Sequence, residues 1–468
     1  MLVAKDMKTQ NLPTPSLDEC IAASGGTKAL AVRDGAFGEI PGMLEREYGS
    51  SRVFLIADGN TMQAAGNGVE RILIEAGAEI RGRHVFPAQP WLHAEYRHVE
   101  TLKKEIAEKQ GPHSQPPVPF AVGAGTINDI AKQVASELSL PYFCIPTAAS
   151  VDGYTSFGSA LLKGGFKQTL PSDAPRCVVA DTGVLAQAPA WLSSSGFADL
   201  AGKITAGADW VIADAAADFG AKGADRIDPK PWAMVQHGLH NYLRRSINAA
   251  RGDRDALGAL FEALAITGFA MQYAKNSRPV SGAEHLFAHI WEMEGLSLGG
   301  IPVTHGHKVA MGTLAVTAFT EELFADPDPP PPPPPPYRRL SHDERMAEVG
   351  KTFEGSPALD SILASAAEKL GSDAVRGKTE EGFRDTWKEL RVKVLERIMP
   401  YSKLREMFVK AGCPVLPKEV GLSRKALIAC THRAQMIRCR YNSLDLAWDL
   451  GCFETVLARL GNSAKYFC

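Results

Sequence analysis

Several features that would narrow the function of this chain are missing from it. Its eight cysteines, Cys20, Cys144, Cys177, Cys413, Cys430, Cys439, Cys452 and Cys468, are scattered without a C-x-x-C pair. The spacing therefore writes neither a disulfide framework nor a cysteine zinc knuckle, and it predicts reduced thiols in a cytoplasmic protein. Basic excess is absent too: 51 Lys and Arg against 53 Asp and Glu leave a formal net charge of -2. No cationic surface is set aside for nucleic-acid phosphates, so that partner class is excluded and a small-molecule role is expected. Residues 1–17 hold no apolar signal core. No window reads as approaching the roughly 20 apolar residues of a membrane span. What remains is 468 residues that are 45% hydrophobic, ample for two globular domains.

From Ala29 the chain alternates strand-like and helical runs. Ala29–Val32, Val53–Ala57, the stretch near His84–Phe86, Pro119–Val122 and Tyr142–Ile145 read as strands. Ile40–Tyr48 is a further apolar run, and helices are expected from Thr61 to about Ala76 and from Ile127 to about Leu138. Strands feeding helices through short polar turns predict an α/β nucleotide-binding domain over residues 29–189, preceded by a polar, proline-broken arm at 1–28. Beyond about Asp181 long amphipathic helical patterns take over, so residues 190–468 are expected to form an all-α domain. An unbroken proline run, Pro329–Pro336, cannot helix and marks an exposed insertion at 326–337. It reads as a spacer, with docking onto an aromatic groove as the alternative.

Histidines concentrate in one place. Ser281–Val309 holds four of the twelve. Gly282–Met293 has the apolar spacing of a buried helix, so His285 and His289, four apart, project from one face. A break at Leu298–Pro302 precedes a second helix near His305 and His307. Imidazoles on two elements suit a divalent cation, with Asp199 as the candidate carboxylate; ordinary core or surface histidines are the alternative. Asp199 and Lys203 stand four apart, which also describes a plain ion pair.

Three further stretches carry chemistry. Gly123–Asp129 follows an apolar strand and opens a helix, where free N–H groups attract a diphosphate, although the third glycine of G-x-G-x-x-G is absent. Asp58 follows the preceding strand, where it can accept from a ribose or simply cap a helix. Pro146–Ser156 is a loop of small hydroxyl residues at the carboxyl edge of the sheet.

Taken together, GAGTIND at 123–129, PTAASVDGYTS at 146–156, GFADLAGK at 196–203, SRPVSGAEHLFAH at 277–289 and HGHKV at 305–309 resemble the sn-glycerol-1-phosphate dehydrogenases, in their bacterial branch. That family lies in the iron-containing alcohol dehydrogenase and dehydroquinate synthase-like superfamily. The resemblance runs from about Ala29 to Thr317, and more loosely through Arg438–Tyr441 and Leu444–Leu446. It implies a dehydroquinate synthase-like fold and a metal held by Asp199, His285 and His305, the ion being zinc, nickel or iron. It implies substrate contacts at Asp152, Asp199 and His289. It implies an NAD(P) site at Asp58, Gly125, Thr126, Ile127, Asn128, Asp129, Thr147, Ala148, Ala149, Ser150 and Ser156, with Asp58 inclining to NAD. Arg278 and Lys203 would suit the phosphate of a phosphorylated substrate.

The expected reaction is reversible, metal-dependent reduction of dihydroxyacetone phosphate to sn-glycerol 1-phosphate, in a cytoplasmic homo-oligomer with a dimer favoured. A glycerol dehydrogenase-type enzyme, a dehydroquinate synthase-like lyase, and a non-catalytic scaffold using its proline run are the alternatives.

Overall fold

The computed structural model describes residues 13–109, 116–164, 166–332 and 338–467. Pro333–Pro336 and Tyr337 of the proline insertion, and residues 1–12 of the arm, lie outside them. By compactness the chain divides into two units, one running to Leu200 and including Lys230–Ser277, the other made of Ala201–Pro229 and the residues from Arg278 onward.

The first unit is built on six strands: β1 (Ala29–Arg33), β2 (Arg52–Asp58), β3 (Glu79–Phe86), β4 (Val118–Gly123), β5 (Phe143–Pro146) and, after a hairpin of β6 (Ser159–Lys163) and β7 (Phe166–Leu170), β8 (Cys177–Asp181). The sheet order is β1-β8-β5-β4-β2-β3 and every pairing is parallel. Central strands β4, β5 and β8 are buried at every position, which is why they read as continuous apolar runs rather than alternations. Ile40, Leu44, Val53, Leu55, Val69, Phe120, Phe143 and Val179 pack one core against the sheet. From β2 the chain moves outward to β3 and then crosses back to β4, which continues to β5 on the other side. The carboxyl ends of β2 and β4, at Asp58 and Gly123, thus flank a topological switch point, where open α/β sheets bind ligands.

Four details differ from the sequence reading. β8 and the β6–β7 hairpin escaped it, because their short apolar stretches sit between segments rich in polar and small residues. β3 starts five residues before His84. The helical run after Asp58 contains a π turn at Met62–Gly66. Finally, one helix, Arg254–Ala274, is long and apolar enough to cross a membrane by composition, with mean hydropathy 1.3, but 83% of that window is buried inside the protein. Its apolar faces are spent on core packing. In the arm, Leu17–Ser24 is helical and opened by a Ser16–Glu19 capping box.

The helices that matter below are α1 (Gly125–Glu137), α2 (Ala190–Phe219), α3 (Arg254–Ala274), α4 (Ala283–Met293), α5 (His305–Leu323) and α6 (Arg424–Met436). α4 packs on α5 and on α6 in the second unit. The break between α4 and α5 is a two-residue hairpin, β9 (Ser297–Leu298) with β10 (Ile301–Pro302).

In the first unit a buried cation shapes the loop after β5. Lys132 on α1 is fully buried, and its Nζ donates to the carbonyls of Gly153 at 2.7 Å, Ser156 at 3.0 Å and Gly158 at 3.2 Å. Burial lowers its pKa, opposed by the nearby Asp129 charge. α3 grips the same loop: Thr155 Oγ1 donates to the Ala265 carbonyl at 2.8 Å. Replacing Lys132 by Met should take this donor from all three carbonyls, leaving Gly153 to Asn128 and Ser156, and cost roughly 2–5 kcal/mol. Urea unfolding of the variant reads this directly; a loss below about 1 kcal/mol would mean that the loop is held by other contacts.

Candidate metal centre

Asp199, His285 and His305 bring one ligand atom each to within 4.8 Å of one another, Asp199 and His285 buried and His305 half-buried. The division by compactness passes through α2 between Leu200 and Ala201. Asp199 therefore rides on a single helix whose remainder, to Phe219, belongs with α4 and α5. Helical phase points Asp199 and Lys203 to the same side, and both are fully buried. α2 must lie close to its neighbours for this. A Cβ on Gly196 would sit 2.0 Å from the Ala149 carbonyl oxygen, and one on Gly202 would sit 2.8 Å from Val309.

Each imidazole is backed by a carboxylate. His285 Nδ1 meets Glu284 Oε1 at 2.8 Å, and His305 Nδ1 meets Glu292 Oε1 at 2.8 Å. An Nδ1–H that donates to a carboxylate leaves Nε2 with its lone pair, the form that ligates a cation. One carboxylate and two such imidazoles form the donor set of an open divalent-metal site, so the residues fit the group that the family implies. The Asp199 carboxylate is oriented in turn, because Asp152 N–H donates to its Oδ2 at 2.9 Å.

The supporting carboxylates are themselves held. Glu284 is completely buried, and burial works against its charge. Its contact with His285, the Gly282 N–H at 2.6 Å and the Thr205 hydroxyl at 2.8 Å overcome that and keep it below the usual carboxylate range. Glu292 also faces His289 Nδ1 at 3.5 Å and Lys308 Nζ at 3.7 Å. Burial pushes His289 down to about 4; Glu292 opposes the shift and the charge of Arg438 adds to it. Asp209, raised to about 6 by burial and by Glu284, accepts from Ala283 N–H at 2.7 Å and Ser443 N–H at 2.8 Å. It thereby ties the start of α4 to the segment after α6.

Of the two histidines in HGH, His305 joins the group. His307 does not: its N–H donates to the helix cap Thr304, and burial pushes its imidazole to about 4. Arg278 is buried, with Nη2 donating to the carbonyls of Tyr441 at 2.9 Å and Asp209 at 3.3 Å. Arg438 follows α6 with φ 63, a left-handed conformation that costs a non-glycine residue roughly 1–2 kcal/mol.

At the switch point, α1 opens at Ala124 with no side-chain cap, leaving the N–H groups of Gly125, Thr126 and Ile127 for an anion. A Cβ on Gly125 would press on Val151 at 3.2 Å. Asn128 is turned inward, accepting from Tyr142 OH at 3.0 Å and donating to the Gly153 carbonyl. Asp58 caps the helix after β2, its Oδ1 accepting from the N–H groups of Asn60 and Thr61 at 2.9 Å each. Both alternatives left open for Asp58 are thus compatible, since Oδ1 caps and Oδ2 is not used in the cap. Thr147 N–H donates to the Gly123 carbonyl at 3.3 Å, Ser150 Oγ pairs with Tyr154 OH at 3.1 Å, and Ser156 Oγ donates to the Gly153 carbonyl at 3.1 Å.

Sequence reasoning missed Glu284, Glu292, Asp209 and Lys132. For Glu292 a signal existed: positions 285, 289 and 292 share one face of α4 by their spacing. Nothing local marks the other three.

Known proteins match this architecture. A family model of iron-containing alcohol dehydrogenases covers residues 31–189. The glycerol-1-phosphate dehydrogenase [NAD(P)+] of Bacillus velezensis is 33% identical over 329 residues, 70% of this chain and 68% of that protein. Its counterpart from Halalkalibacterium halodurans is 32% identical over 275 residues, 58% of this chain and 65% of that protein. The chain thus aligns with about two thirds of the length of these relatives. The structure of an iron-containing alcohol dehydrogenase from Thermococcus thioreducens superposes with TM-score 0.54 at 16% identity, covering 92% of this chain and 98% of that one. Fold and donor set define the class of the iron-containing alcohol dehydrogenases, with an α/β nucleotide-binding half and a helical metal-binding half. Within that class, the chain belongs to the glycerol-1-phosphate dehydrogenase family.

Replacing Glu292 by Gln should weaken divalent-metal binding roughly 10- to 100-fold while the helices stay folded, and His285→Ala should abolish it. Chelator competition on the purified protein measures both. Wild-type affinity in either variant would remove that side chain from the centre.

Proposed function

We propose that this chain is a metal-dependent oxidoreductase interconverting dihydroxyacetone phosphate and sn-glycerol 1-phosphate with NAD(P)(H), acting in the cytoplasm as a homodimer. The observation that carries the reading is the group Asp199, His285 and His305 with a carboxylate behind each imidazole. The substrate comes from the relatives named glycerol-1-phosphate dehydrogenase [NAD(P)+]. Residues 29–189 serve as the dinucleotide-binding region, 190–468 as the metal and substrate region, and 1–28 as an arm.

A zinc, nickel or iron ion held by Asp199, His285 and His305 would supply Lewis acidity to a carbonyl, and the dinucleotide would supply the hydride. The remaining work belongs to the chain. Glu284 and Glu292 hold the two imidazoles in the ligating tautomer, and the Asp152 N–H fixes the Asp199 carboxylate. His289 is neutral, and with Nδ1 turned to Glu292 its Nε2 accepts the proton of a substrate hydroxyl during oxidation and returns it during reduction. Asp152 and Lys203 contact the substrate, and Arg278 braces that region through the carbonyls it holds. The N–H groups of Gly125–Ile127 meet the diphosphate, and Asp129, Thr147, Ala148, Ala149, Ser150 and Ser156 line the dinucleotide. Asp58 Oδ2 accepts from its ribose, which favours NAD.

The test is a steady-state assay on metal-reconstituted protein with chiral analysis of the product. We expect NADH oxidation with dihydroxyacetone phosphate, loss on chelation, and restoration by one of the three ions. Unphosphorylated dihydroxyacetone should show a kcat/KM roughly 100-fold lower, the ~3 kcal/mol of a lost charge-assisted contact. Turnover of unphosphorylated polyols with none of the phosphate ester would reject the substrate assignment.

A further inference from the structure

We propose that Arg438 grips the substrate phosphate and so selects a phosphorylated triose over an unphosphorylated one, an assignment that rests on the reaction proposed above.

The placement follows from the anchors around it. α6 packs along α4, and Arg433 near its end pairs with Glu294 just past the end of α4. Arg440 Nη1 donates to the Ser281 carbonyl at 2.9 Å, just before α4 begins, and Asp209 clamps Ser443 to Ala283. Between these anchors the segment runs alongside the stretch of α4 that carries His285, His289 and Glu292. Arg438 lies there, and its charge acts on both His289 and Glu292.

Three arginines lie in this part of the second unit, and they differ in burial and in what holds them. Arg278 is buried, with Nη2 on two backbone carbonyls and Nε 3.7 Å from Asp225 Oδ2, and Arg440 Nη1 donates to one carbonyl. Arg438 is exposed, and among the described residues its guanidinium has no hydrogen-bonded or ion-paired partner. It also occupies a left-handed backbone position that glycine would take without strain. A strained residue persists where its surroundings over-determine it, as at ligand clamps. Partial desolvation holds its pKa below the usual arginine range, with Glu292 opposing. The side chain stays charged, and a partly desolvated guanidinium without a partner gains most from a bidentate dianion.

The size of the substrate agrees with this position. In dihydroxyacetone phosphate one carbon and one oxygen separate the carbonyl carbon from phosphorus. A cation that takes the phosphate must therefore stand beside the imidazoles that face the carbonyl end. Arg278 is buried and its Nη2 is held by the Asp209 and Tyr441 carbonyls, whereas Arg438 is exposed beside α4.

The experiment compares wild type with Arg438→Gln, Arg438→Lys and Arg438→Gly. In the Gln and Gly variants KM for dihydroxyacetone phosphate should rise roughly 10- to 150-fold, the 1.5–3 kcal/mol of a hydrogen bond to a charged group. Their kcat should change far less, and the Lys variant should recover part of the loss. Turnover of unphosphorylated dihydroxyacetone should be unaffected. Inorganic phosphate should raise the wild-type Tm and lose that effect in the Gln and Gly variants. Gly relieves the backbone, so Arg438→Gly should be at least as stable as wild type, which guards against a folding defect. A wild-type KM together with wild-type phosphate stabilisation in the Gln variant would overturn the assignment. If wild type fails to reduce dihydroxyacetone phosphate, the proposed reaction fails instead, and the phosphate effect on Tm still judges Arg438.

Discussion

The contact on which the rest depends is that between a buried carboxylate and the Nδ1 of a histidine, made twice. Glu284 with His285 and Glu292 with His305 decide which imidazole nitrogen keeps its lone pair and where that lone pair points. A carboxylate as buried as Glu284 is unfavourable unless its oxygens are filled. Here they are, by His285, the Gly282 N–H and the Thr205 hydroxyl. Thr205 stands on α2, the helix that carries Asp199, so its hydrogen bond ties that helix to the carboxylate behind His285. Gly202 permits the close approach of α2 to α4 and α5, and Gly312 that of α5 to α4, the packing counterpart of the same constraint.

Each unit uses one buried charge to shape its working loop. In the first, Lys132 gathers the carbonyls of Gly153, Ser156 and Gly158, which bends the chain after β5 beside the opening of α1. In the second, Asp209 accepts one N–H from the start of α4 and one from the segment after α6, bringing stretches far apart in the chain into register. Both groups are desolvated, and both are offset by several hydrogen bonds rather than by a single opposite charge. Such networks fix geometry, because removing the central charge leaves the groups gathered around it without their shared partner and releases the loop.

Legibility followed the range of the interactions. Strands β1, β2, β4 and β5 and helices α1, α4 and α5 were readable because their apolar periodicity is local, and the glycine turn at 123–125 announced itself by composition. β8 was not, since its partners β1 and β5 are what make Cys177–Asp181 a strand. The apolar helix Arg254–Ala274 could not be judged from composition, because a core helix and a membrane helix have the same one. The two histidines of HGH were equivalent in sequence; the cap at Thr304 and the carboxylate of Glu292 separate them.

The sequence by itself determined the α/β and helical halves, the family, and the residue types of the donor set, because these rest on periodicity and on motifs within a few residues of one another. Only the tertiary structure decided which carboxylates stand behind the imidazoles, that Arg278 is buried against backbone carbonyls while Arg438 is exposed, and that Lys132 shapes a loop. Hydrogen bonds between groups distant along the chain depend on packing, and no local pattern encodes which buried acceptor a given donor will meet.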